Sequence, residues 1–152
     1  MGHNYLSERI LVVPGPLTLT TDPIVVSSDE LSNIDSHPIP ILEPPGAGLY
    51  YLIVDTIYQL DFGTTPYANS GSDNGGIFYG SPSLENGADD GDATLPTMTE
   101  SYLYSSDGYM DGPLSGIENT GLFYGIPPGS GYSGGDGTLT ITVSYQILTV
   151  AA

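Results

Sequence analysis

The groups able to do chemistry in this sequence are two histidines, one arginine and 18 carboxylates, with no cysteine. His37 lies between Ser36 and Pro38 in a stretch that its prolines hold extended, and His3 stands beside the N-terminus. Neither sits in a pattern with Ser and Asp that would pair a nucleophile with a base. The absence of cysteine excludes disulfides, thiol nucleophiles and cysteine-bound metals. Glu85, Asp89, Asp90 and Asp92 in the acidic stretch PSLENGADDGDAT (82–94) supply the oxygen ligands that Ca²⁺ takes. Their D-D-G-D spacing lacks the register and closing Glu of an EF-hand loop. Paired carboxylates also serve glycoside hydrolysis, but the chain has no Trp to form a sugar platform. Tyr102, Tyr104, Tyr109, Tyr124 and Tyr132 are suited to stacking on a sugar or to packing. Gly129-Ser130-Gly131 and Gly134-Gly135 lack the Lys of a phosphate loop. The expectation is a protein that is not an enzyme and takes no metal or cofactor.

Charge narrows the partners. The formal net charge is −17, and Arg9 is the sole Lys or Arg in 152 residues. Such a surface repels phosphate, so neither nucleic acid nor an anionic membrane is an expected partner. With almost no cation in cis, the carboxylates must stay solvated or meet cations of another molecule. No secretory or membrane-spanning segment is visible, since the N-terminal apolar stretch Ile10–Val13 is too short for either. Synthesis and assembly in a cytosol are therefore expected.

The elements that would position these groups are strands. Gly 21, Pro 13 and Tyr 12, with Ile, Val and Thr throughout and few helix formers, describe an all-β chain of one domain. Its centre is PPGAGLYYLIVDTIYQLDFG (44–63), a long apolar run bounded by Gly and Pro. Strand alternation puts Tyr50, Leu52, Val54, Thr56, Tyr58, Leu60 and Phe62 on one face. Leu49, Tyr51, Ile53 and Ile57 make the other face apolar as well. A strand apolar on both sides predicts a core beneath and a neighbouring subunit above, with Tyr51, Ile53 and Ile57 as the contact between copies.

The closing segment 137–149 alternates Leu139, Ile141, Val143, Tyr145 and Ile147 with Thr, Ser and Gln, the pattern of a half-buried core strand. Further strands are expected at 24–27, 76–80, 101–104, 114–117 and 121–125, and one helical turn from Ser28 towards Ile34. GIFYG (76–80) and GLFYG (121–125) echo each other, but two copies are too few for a repeat architecture. Residues 1–23, broken by Pro14, Pro16 and Pro23, read as an extended arm or an edge strand ahead of a domain at 24–152.

The order Ser28-Asp29-Glu30-Leu31, Pro38-Ile39, Pro45-Gly46-Ala47-Gly48 and Leu60-Asp61-Phe62-Gly63-Thr64-Thr65-Pro66-Tyr67 resembles a known group. Gly134-Gly135-Asp136-Gly137-Thr138-Leu139-Thr140-Ile141-Thr142-Val143-Ser144-Tyr145 completes the likeness. The chain resembles the capsid decoration (cement) proteins of tailed bacteriophages over roughly residues 24–150. That resemblance implies a jelly-roll β-sandwich of about eight antiparallel strands, a homotrimer, and a place on the outer capsid surface of the virion. It implies the phage major capsid protein as partner, with the arm's Tyr5, Leu6, Arg9, Ile10 and Leu11 as capsid contacts. The alternative is a trimeric tail-fibre head that reads a host-surface glycan through loops 82–94 and 126–136.

Overall fold

Two long strands form the spine: β4 (Leu49–Asp61) and β11 (Thr138–Thr149) pair antiparallel along nearly their whole length. The computed structural model describes residues 16–73, 75–81, 87–89, 97–108 and 114–151. The alternation expected of 137–149 is realised. Leu139, Ile141 and Val143 are fully buried, and Thr138, Thr140 and Thr142 line the opposite face. Each of those three side chains contributes about 1.5–3 kcal/mol by leaving water.

The other edge of β11 takes β2 (Ile24–Val26) and the short β1 (Leu19–Thr20), and the far edge of β4 takes β8 (Tyr102–Asp107). Together these strands are sheet A. Sheet B runs β3 (Ile39–Leu42), β9 (Leu122–Gly125), β6 (Gly76–Tyr79), β7 (Gly87–Asp89), again antiparallel. A two-stranded ribbon joins β5 (Ala68–Asn69) to β10 (Tyr132–Ser133). The chain is thus all-β, two antiparallel sheets closed on one apolar core.

The echoed segments are neighbours. β6 and β9 pair antiparallel with Phe78 opposite Phe123 and each outer glycine opposite the other, Gly76 against Gly125. The likeness of GIFYG and GLFYG is therefore a likeness of paired strands, read in opposite directions about the Phe78–Phe123 pair.

Two short helices close the sandwich. α1 (Ser28–Ser32) starts on a capping box: the Ser27 hydroxyl accepts from the Glu30 N–H at 3.3 Å, and the Glu30 carboxylate accepts from the Ser27 N–H at 2.8 Å. It delivers Leu31, and the turn after it Ile34, both fully buried. Residues 114–117, expected as a strand, are instead the single turn α2 (Leu114–Ile117). Asn119 ends it at φ 50°, a left-handed value that Asn tolerates. Its amide oxygen and the Glu118 carboxylate then accept from the N–H groups of Gly46 and Gly48 at 3.0 and 2.8 Å, fixing the turn that enters β4.

Candidate docking surface

One main-chain irregularity decides which side chains of β4 face outward. Ser144 pairs with Asp55 and Tyr145 with Ile53, so Val54 has no opposite residue on β11. Such a bulge shifts the alternation by one. Before it the odd residues Tyr51 and Ile53 face the core, at 6% and 2% exposure; after it Thr56, Tyr58 and Leu60 do. The expected contact between copies through Tyr51 and Ile53 is corrected here. They are sealed inside the protein's own sandwich, and the apolar character of both faces of 49–62 is the mark of a strand that changes sides. Of the three residues only Ile57, 39% exposed, lies on the outer face.

That outer face of sheet A forms rows across the strands. Val25, Thr140, Gln59 and Leu103 stand in register on β2, β11, β4 and β8. At the strand spacing of about 4.8 Å this row spans about 14 Å. The next row is Thr142, Ile57 and Ser105. Neither row contains a charge. Val25 and Leu103 are 62% and 64% exposed, whereas the apolar residues on the opposite face of the same strands are mostly sealed in the core. One end of the face carries Asp55 directly opposite Asp107, beside a hydroxyl pair in which Thr20 and Ser144 lie 3.2 Å apart. The other end carries Asp61, opposite Thr138. Beside Asp61 is an open depression of about 210 Å³ lined by Gln59, Leu60, Asp61, Ser101, Tyr102 and Leu103.

Elsewhere the polar groups are engaged in holding the fold. The Asp136 carboxylate accepts from the Thr64 hydroxyl at 2.6 Å and from the Thr64 and Thr65 N–H groups at 2.8 Å each. These bonds, the hydroxyl first, hold its pKa below the ordinary aspartate value. Asp136-Gly137 is thus a clamp on the loop after β4. The Tyr67 hydroxyl reinforces it by donating to the Gly137 carbonyl at 2.6 Å. A cleft of about 480 Å³ lies beside α1, lined by Asp29, Glu30, Asn33, His37, Pro38 and Ile39. His37 Nδ1 is 3.0 Å from the Ser36 hydroxyl there. No three metal-ligating side chains gather among the described residues. Of the acidic stretch, Asp89 belongs to β7, and Glu85, Asp90 and Asp92 lie outside the described residues.

The tyrosines divide similarly. Tyr124 and Tyr132 are core residues at 2% and 3% exposure, and Tyr104 stacks on Tyr58 with ring centroids 6.2 Å apart. Tyr102, 41% exposed, is at the rim of the depression; Tyr109 lies outside the described residues. The same holds for Tyr5, Leu6, Arg9, Ile10 and Leu11. Val25 and Leu103 were missed in the sequence. Their signal was the unbroken triplets Ile24-Val25-Val26 and Tyr102-Leu103-Tyr104, in which the middle residue must face away from its neighbours.

No family profile matches the chain, and no curated protein matches it. Among solved structures, a chain of the cyanophage Pam1 capsid asymmetric unit is similar at 10% sequence identity and a TM-score of 0.46, over 92% of this chain and 94% of that one. No helix among the described residues is long and apolar enough to cross a membrane.

Proposed function

We propose that this chain is a virion structural protein, a decoration protein that binds the outside of a tailed-phage head and stabilises it. The observation that carries this reading is the outer face of sheet A. In a chain of net charge −17, it offers a charge-free field with Val25, Ile57 and Leu103 exposed on a rigid sheet. A flat, partly apolar face of this kind suits a broad protein surface better than a small molecule. The resemblance in sequence supplies the capsid as that surface, and the segment before Pro16, with Tyr5, Leu6, Arg9, Ile10 and Leu11, as a second point of contact. Binding only the assembled, expanded lattice stabilises that state by mass action. The homotrimer belongs to this proposal through the resemblance; three linked contacts would act together.

The test is co-sedimentation of the purified protein with heads that lack it, beside a glycan array. Saturable head binding and a blank array are expected. Saturable glycan binding without head binding would overturn the reading in favour of a receptor-binding head.

A further inference from the structure

We propose, resting on that reading, that the surface seated on the outer face of sheet A is uncharged at its centre and bears Lys or Arg side chains at both ends, and is not a second copy of this chain. Asp55 and Asp107 are opposed across β4 and β8, where directly facing side chains come within about 5.5 Å and like charges repel. No Lys or Arg exists among the described residues to relieve them, since the single such residue is Arg9. A basic side chain of another molecule seated here would relieve that repulsion. Six residues along β4, about 20 Å at strand rise, Asp61 stands at the other end of the same face. Its carboxylate accepts from the Gln59 amide at 3.2 Å, and Gln59, Asp61 and Leu103 are among the residues bordering the depression there. An acid next to the exposed Leu103 suits a long side chain with an apolar stem and a cationic head.

Between these ends the rows of Val25 and Ile57 are uncharged, so an occupant that put charge there would lose its hydration without a partner. A second copy brings the same carboxylates and almost no cation, so it meets repulsion at the ends and offers no complement. The face therefore selects a foreign, basic-rimmed surface.

The probe is the undecorated head, titrated with full-length protein over a range of salt. Two double variants are compared with the wild type: Val25→Thr with Leu103→Thr, and Asp55→Asn with Asp107→Asn. All four sites are on the outer face, three of them well exposed, and near-UV circular dichroism of the tyrosines checks that each variant is folded. The apolar double variant is expected to weaken head binding at least tenfold at every salt concentration. The acidic double variant is expected to weaken it several-fold at low salt and to flatten the salt dependence. Wild-type head binding that both variants retain would overturn this inference and leave the capsid role standing. Tighter binding by the asparagine variant would overturn it too, as would sedimentation showing a wild-type oligomer that the threonine variant breaks apart. Failure of the wild type to bind heads would overturn both readings together.

Discussion

The hydroxyl of Tyr79 donates to the main-chain carbonyl of Tyr51 at 2.7 Å, a bond that crosses the core from sheet B to sheet A. It ties the end of β6 to β4 just before the bulge. Tyr79→Phe is expected to cost about 1 kcal/mol in urea unfolding, the net worth of one such bond. A variant as stable as the wild type would show that apolar packing alone holds the sheets in register.

The same tyrosine sets an alkaline limit. Burial, with Tyr50 nearby, pushes the Tyr79 hydroxyl up to about 12, and burial pushes that of Tyr124 well above its usual value. A folded-state pKa raised above the unfolded one gives stability that is complete below about pH 10 and lost as pH rises through the folded value. Unfolding is therefore expected between about pH 10 and 12, with tyrosinate absorbance and loss of ellipticity rising together. Tyrosinate appearing in full ahead of unfolding would contradict this.

On the acid side the signs reverse. The Asp136 carboxyl is held low by the Thr64 hydroxyl and then by the Thr65 and Thr64 N–H groups, and that of Glu30 by the Ser27 N–H and then its hydroxyl. Depressed values give stability that is present above about pH 4 and lost as pH falls through them. Acid also removes self-repulsion from a chain of net charge −17. The informative quantity is the difference between the wild type and Asp136→Asn. It is expected to shrink towards zero as pH drops below about 4; a gap constant with pH would show that the carboxylate's charge plays no part.

Thr56 is fully buried, and its hydroxyl has no hydrogen-bond partner among the described residues. Burying an unpaired hydroxyl costs about 1–3 kcal/mol. Thr56→Val keeps the branched shape and is expected to stabilise the protein by about 1 kcal/mol in chemical denaturation. Destabilisation would mean that the hydroxyl is satisfied in solution, through a bound water.

Much of the sandwich was legible in the sequence because its strands carry their own periodicity. Leu139, Ile141 and Val143 alternate without a break, and they are the centre of the core. The GIFYG and GLFYG strands were equally plain, although only pairing shows that one lies on the other. What escaped was anything set by a single main-chain event. The bulge at Val54 leaves no residue-type signature, since Val fits a regular strand as well, yet it turns Tyr51 and Ile53 from a proposed interface into core. Leu114 and Ile117 are three apart, a spacing that serves one helical turn as well as a short strand. The two- and three-residue strands β5, β7 and β10 are too short to show any period. The docking face was hidden for a related reason: Val25, Ile57 and Leu103 are far apart in the chain and meet only through the registers of four strands.

The bulge itself is testable. Deleting Val54 removes the unpaired residue and leaves Ile53 next to Asp55, opposite Tyr145 and Ser144, so that Tyr51, Ile53, Thr56 and Tyr58 all keep their core positions. The expected loss in urea unfolding is at most about 1 kcal/mol, the common size of a single change that empties no core position. A loss above about 3 kcal/mol, the scale of emptying large core positions, would show that the bulge itself is needed to seat Tyr51 and Ile53.

Where and how this protein sits on a particle decides both the proposed role and the docking face. Cryo-electron microscopy of undecorated heads incubated with the purified protein measures this directly. The prediction is regular density on the outside of the lattice, with the sheet bearing Val25, Ile57 and Leu103 turned towards the shell. Bare heads, or density confined to a tail, would contradict the function; ordered density with that sheet facing solvent would contradict the docking face.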